Sequence, residues 1–278
     1  IDLAVYLALA ESARGMFVTG LAAVALAVAV VILRRRATAQ SSPEMAFTTR
    51  CNIRKIRPRG TLPSSAEEPY IVDLGRQRNA ALAARLTRER LLDEMGDTCT
   101  TPSQAGSNRK GIETCMPLRE YVSEWMDREV RRNSSENKYV FGEFSDAWAP
   151  LREAYALPPC GAACARERVA VTIGLGGLHS GAPWHMHGSA FVEVLHGSKH
   201  FAFLPPGDAA IEGIDAAIAG LSQVHWHWEE RPRLEAAGRL AALQECALQP
   251  GELLYFPPSW HHGVVNLDPY TAFVSTFL

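Results

Sequence analysis

Residues 181–206 read GAPWHMHGSAFVEVLHGSKHFAFLPP, and residues 250–263 read PGELLYFPPSWHHG. In the first stretch His185 and His187 stand two apart. Alternate side chains of a β-strand share a face, so both imidazoles can point at one place, a spacing that suits a chelate. If that strand ran on without a bulge, Glu193 and Lys199, of the same odd parity, would face inward with them. The second stretch reads as a turn at Pro250-Gly251, a strand, a rigid corner at Pro257-Pro258, and then His262. A third imidazole can therefore arrive from the opposite strand of a barrel, while His261 alternates to the other face.

Outward from these stretches the β character continues. Short apolar runs at Arg168–Leu175, Ala190–Leu195, His200–Leu204, Glu252–Phe256, Gly263–Leu267 and Thr271–Phe277 are punctuated by Pro, Gly and Asn and predict strands. Helical segments are expected at 209–221 and 234–246. Upstream, Leu82, Leu86 and Leu92 within residues 76–95 predict an amphipathic helix, and Leu118, Tyr121, Val122, Trp125 and Val130 predict another. Residues 98–111 between them are a loop by composition. The fold class is therefore mainly β with flanking helices, a sandwich or barrel whose strand core lies in residues 138–278 of a domain spanning 47–278. His225-Trp226-His227-Trp228 is expected to be a packed loop or a lid facing substrate. His179, His196 and His200 have no supporting pattern.

The N-terminal part reads differently. After a tail at 1–14, residues 15–33 (GMFVTGLAAVALAVAVVIL) carry no charge and match the length of a transmembrane helix. A cleaved signal peptide is the competing reading, with Ala37-Thr38-Ala39 as its cleavage site. The sequence opens at Ile1, which makes Met16 a candidate start. Residues 34–46 form a linker. Arg34-Arg35-Arg36 would keep the following domain cytosolic. The even set of six cysteines (Cys51, Cys99, Cys115, Cys160, Cys164, Cys246) and the glycosylation sequon at Asn133 suit an oxidising compartment instead. A single-pass membrane protein with its domain in the lumen of the endoplasmic reticulum or secretory pathway is the favoured expectation, with the cysteines in disulfides. Cys160 and Cys164 could also be a metal pair, but no second pair completes a zinc site. The 28 basic and 30 acidic residues leave a formal net charge of −2, so no global field favours nucleic acid as a partner.

The order of motifs, His185-x-His187, then Gly197-Ser198-Lys199 running into Pro205-Pro206, then Pro250-Gly251 to Pro257 and Trp260-x-His262, resembles the jumonji (JmjC) domain of the cupin superfamily. The likeness covers residues 47–278 and takes in the helix at Pro117, the strand at Tyr139, and the closing Asn266-Leu267-Asp268 and Ser275 to Leu278. It implies a double-stranded β-helix (jelly-roll) barrel that binds Fe(II) and uses 2-oxoglutarate to hydroxylate a protein side chain. By position, His185 and His262 match the family's metal histidines, Lys199 matches the lysine that pairs with the distal carboxylate of 2-oxoglutarate, and Tyr139 lies where some members place a second contact. His187 departs from the pattern, because the facial triad of such oxygenases has a carboxylate there. Metal binding survives that change more easily than catalysis does. The resemblance therefore leaves a non-catalytic JmjC domain, acting as a binding or scaffold protein in the secretory pathway, as an alternative. The spacing also resembles the germin-type cupin set, which would add Glu193 as a ligand, with Mn as an alternative metal and no use of 2-oxoglutarate. Implied partners are a protein partner or substrate and the membrane.

Overall fold

Runs of β-branched and aromatic residues too short for helices pair into two facing sheets. The computed structural model describes residues 47–278 except 49, 58–59, 105–114, 128–137, 142–144 and 209–221, and Phe47–Leu278 forms one compact unit. In chain order the strands are β1 (Arg54–Ile56), β2 (Tyr70–Asp73), β3 (Cys99–Thr100), β4 (Ser103–Gln104), β5 (Met116–Pro117), β6 (Lys138–Tyr139), β7 (Ala170–Gly176), β8 (Gly181–His185), β9 (Ala190–His196), β10 (Lys199–Leu204), β11 (Gln244–Leu248), β12 (Glu252–Phe256), β13 (His261–Asn266) and β14 (Thr271–Phe277). One sheet runs β1-β2-β12-β9-β14-β7 and the facing sheet runs β11-β10-β13-β8. The architecture is the mainly β, jelly-roll form of a cupin.

Side chains from both sheets meet between them: Val192, Val194, Leu254, Phe256 and Phe273 from one, Phe201, Phe203, Leu248 and Val264 from the other. Every second residue points the opposite way, and each outer face is covered in turn. The helices α1 (Ala80–Arg85), α2 (Arg88–Met95), α3 (Leu118–Tyr121) and α4 (Ala149–Glu153) bury Leu82, Leu91, Tyr121 and Leu151 with Ile173, Leu175 and Val274. Behind the smaller sheet, α5 (Gln223–His225) passes through a wider turn at Trp226–Glu230 into α6 (Arg231–Ala236), and Trp226 and Leu234 pack with Trp184, Ala202 and Leu204.

Three details differ from the sequence reading. The helix expected over 76–95 breaks in two, because Thr87 adopts extended backbone and its side chain caps a new helix by accepting from the Arg90 N–H. The segment 234–246 is not one helix: the chain turns at Gly238 (φ 67°), and Gln244–Leu248 is drawn into β11 by antiparallel pairing with β10. The loop at 98–111 contributes two short strands. The six cysteines form three disulfides, Cys51–Cys246, Cys99–Cys115 and Cys160–Cys164, which removes Cys160 and Cys164 as a metal pair. Among the described residues no helix is long and apolar enough to cross a membrane. The apolar stretch 15–33, Asn133 and the helix expected at 209–221 lie outside the described residues.

Candidate metal centre

His262 lies in β13 and is directly opposite His185 at the end of β8. The two strands lose step between them: His262 to Val264 on β13 spans Ala182 to His185 on β8. That bulge places one extra residue, around Pro183, on β8, and it turns His185 inward as Ala182 is. His187 follows in the connection to β9 and not in the strand itself. Its backbone carbonyl accepts from the Ser259 N–H at 3.1 Å, which ties the His187 loop to the corner preceding His262.

The three imidazoles converge. Ring centroids are 4.2 Å apart for His185 and His262, 4.7 Å for His187 and His262, and 5.5 Å for His185 and His187. One potential ligand atom from each lies within 4.8 Å of the others. Each ring is also oriented by a backbone carbonyl at its Nδ1: Pro183 O at 2.7 Å for His185, Gly188 O at 2.7 Å for His187 and Trp260 O at 2.9 Å for His262. A carbonyl only accepts, so Nδ1 carries the proton and the Nε2 lone pair is left for a metal. Burial favours the same neutral state. It lowers His185 to about 4, His187 below its ordinary value, and His262 well below it, with the neighbouring imidazoles adding to the last. The donor set fits a divalent transition metal.

Lys199 faces the same cavity from β10 and is 2 % exposed. Its ammonium donates to Asn266 Oδ1 at 3.1 Å. Asn266 in turn donates from Nδ2 to Ser180 Oγ at 3.0 Å, and the Ser180 hydroxyl donates to Gly177 O at 2.7 Å. Aromatic faces supply the rest of the surroundings, with the Lys199 ammonium 4.1 Å from the Phe273 ring centre and 5.6 Å from that of Tyr139. Desolvation brings Lys199 down to about 7. The cavity is lined by Tyr139, Phe141, Lys199, Phe256, Phe273, Phe277 and the three histidines among others, and no carboxylate is among the described residues of its walls. As packed it holds about 30 Å³, room for a water or two.

Glu193, expected as a possible fourth ligand, does not join the site. The connection at 186–189 resets the alternation, so Ala190, Val192 and Val194 face inward and Glu193 points at the helical side. There its carboxylate is 1 % exposed and accepts from Arg78 at 2.9 Å, Asn79 at 3.0 Å and Tyr155 at 2.8 Å. It bonds neither the metal site nor Lys199, and the germin-type set loses its carboxylate. Of the two residues that hold Lys199, Ser180 had no part in the sequence reading and Asn266 entered it only within the closing motif. The signal for Asn266 was parity with His262 on one strand, and the fold sets it directly opposite Lys199 in the β10–β13 ladder. His225-Trp226-His227-Trp228 resolves as packing. Trp226 is fully buried and His227 nearly so, the latter stacked on Phe47 at 4.1 Å.

Comparison with known proteins agrees with this fold. The family profile described as "Cupin-like domain" matches residues 69–277. The JmjC domain-containing protein 8 of Rattus norvegicus is 32 % identical over 215 residues, covering 76 % of this chain and 74 % of that protein. Its Homo sapiens counterpart is 31 % identical over 203 residues, covering 72 % of each. The lysine-specific demethylase JMJ21 of Arabidopsis thaliana is 31 % identical over 115 residues, covering 37 % of this chain and 12 % of its own. A matching profile across most of the domain, two JmjC domain-containing relatives matched over nearly three quarters of their length, and a histidine cluster inside a jelly roll lead to one statement: the chain belongs to the JmjC-type family of cupin-like domains.

Proposed function

We propose that this chain is a metal-dependent oxygenase of the JmjC type, with Fe(II) held by His185, His187 and His262 and 2-oxoglutarate as cosubstrate, acting on a protein side chain. The observation that carries the reading is a buried lysine without an acidic partner facing the same cavity as three convergent imidazoles. A divalent metal beside Lys199, with no carboxylate among the described residues of the walls, would leave excess positive charge in a site of low dielectric, and a dianionic ligand would balance it and hold Lys199 protonated. Asn266 aims the Lys199 ammonium, and Ser180 holds Asn266. Bound iron and 2-oxoglutarate would together activate dioxygen, one oxygen atom entering the substrate C–H bond as a hydroxyl and the other entering succinate as 2-oxoglutarate loses carbon dioxide. The relatives' JmjC names, one of them a lysine-specific demethylase, support an oxygenase family.

A second reading has its own observation. His187 replaces the carboxylate of the usual triad, and the Phe273 ring packs 4.1 Å from the Lys199 ammonium. On that reading the domain keeps a metal and serves as a binding protein without turnover. Anaerobic calorimetry with Fe(II) and then 2-oxoglutarate separates the two. For the oxygenase, 2-oxoglutarate binds only after metal, Lys199→Ala abolishes it without affecting metal binding, and iron-dependent succinate release follows in air. Metal uptake by a protein that shows no 2-oxoglutarate binding would leave the scaffold. The proposal includes a membrane-anchored, lumenal setting, supported by the three disulfides and the apolar stretch 15–33. An endoglycosidase-sensitive mobility shift that disappears in Asn133→Gln is the expected result, and a protease-accessible, unglycosylated chain on the cytosolic side would overturn it.

A further inference from the structure

Beside the metal cavity, on the outer side of the same strand ends, lies a far larger cleft of about 640 Å³. Phe256 points into the cavity, whereas its neighbours Tyr255 and Pro257 line the cleft with Trp260, Pro206, Pro258 and Ser189. The cleft's other wall is the loop 64–68, ending in Glu67 and Glu68. Three aromatic side chains of the sheet and its corner pin that loop by its carbonyls: Tyr70 donates to Pro63 O at 2.7 Å, Tyr255 to Ser64 O at 2.9 Å and Trp260 to Glu67 O at 3.1 Å. Both glutamates are exposed, and no basic residue is among the described residues lining the cleft. A preorganised wall with two unmatched carboxylates, set against prolines and aromatics, suits an extended, proline-tolerant chain carrying positive charge. The cleft and the metal cavity share no lining residue, but the chain passes from one to the other within a few residues. Ser189 lies on the edge of the cleft, and His187 is two residues away, a span of at most about 7 Å. On the rim between the ligands His185 and His187 stands Met186, which at 57 % is the one exposed large hydrophobic residue among those described.

We infer that this cleft docks a basic, extended polypeptide segment and feeds it over the Met186 rim to the metal cavity. The inference rests on the oxygenase reading for its purpose, but the docking itself needs no metal. The test uses the full chain in detergent with a chelator present and a labelled peptide of alternating proline and lysine, beside versions with glutamate or serine in place of lysine. Fluorescence anisotropy is expected to show binding of the lysine peptide alone, weakened roughly tenfold when Glu67→Gln and Glu68→Gln are combined. The bound peptide should also slow peroxide oxidation of Met186, followed by mass spectrometry. Equal affinity of the lysine and serine peptides, unchanged affinity in the double variant, or an unprotected Met186 would each overturn the inference. If the peptide docks as described but no succinate is released with iron restored, the oxygenase reading falls and the docking cleft stands.

Discussion

Asn266 occupies a hinge position in the chemistry, because it is the hydrogen-bond acceptor for Lys199 and is itself held by Ser180. Removing its side chain as Asn266→Ala strands a buried ammonium, at a cost of about 1–3 kcal/mol. The three imidazoles are untouched, so calorimetry is expected to find metal affinity within about twofold of wild type and 2-oxoglutarate affinity down about tenfold or more. A parallel loss of both would make Asn266 merely structural. His227 gives the pH dependence. Burial holds it near 3, with His200, Arg231 and His179 adding repulsion, and its Nε2 accepts from the Thr48 N–H. A folded pKa below the unfolded 6.5 means that unfolding takes up a proton, so this contribution is complete above pH 6.5 and is lost as pH falls toward 3, by about 1.4 kcal/mol per unit. Urea titrations of His227→Gln should show a shallower acid slope than wild type, and identical slopes would refute the assignment. At this scale the convergence of the three histidines was legible and the placement of Glu193 was not. Histidines at a two-residue spacing and a third after a proline corner are visible as letters. The β8 bulge, which turns His185 inward, and the connection at 186–189, which resets the alternation before Glu193, depend on pairing with distant strands.

The helical segment from Gln223 to Ala236 is the element that backs the metal site. Gln223 lies against Gly263, where even a methyl group would collide with it, and Trp226 meets Trp184 edge to face at 4.9 Å. Gly263 and Trp184 each adjoin a metal histidine. Trp226→Ala opens a cavity at a fully buried position and is expected to cost about 3–5 kcal/mol. Because the cavity lies directly behind β8, metal affinity should drop by about tenfold as well, whereas a comparable truncation at Leu151, under the opposite sheet, should lower stability alone. Paired thermal melts and metal titrations distinguish the two. Strand runs such as Thr271–Phe277 were legible because their composition and their pairing agree. Residues 234–246 were misread because alanine and leucine favour a helix locally, while β10 recruits Gln244–Leu248 as its neighbour, and the ladder outweighs propensity.

Within residues 47–278, the start of the domain is tied to the strands β11 and β12. β2, near the start of the domain, pairs with β12, Asn52 exchanges hydrogen bonds with Leu243 and Glu245, and Cys51 is bonded to Cys246 across 195 residues. The even cysteine count announced cross-links, but their partners depend on a fold in which sequence-distant strands become neighbours. That topology also ranks the disulfides. A bridge stabilises chiefly by shortening the loop that the unfolded chain must close, so a span of 195 residues is worth about 5 kcal/mol and the span of four at Cys160–Cys164 about 2. Replacing Cys51 and Cys246 by alanine should therefore reduce the unfolding free energy more than twice as much as replacing Cys160 and Cys164. Equal losses in denaturant titrations would mean that the unfolded chain is not free in the way this argument requires. The metal site should register the same difference, since β11 supports β10 and β10 carries Lys199 between β11 and the His262 strand. Loss of the long bridge loosens the layer that holds the cavity together, while loss of the short one leaves it in place.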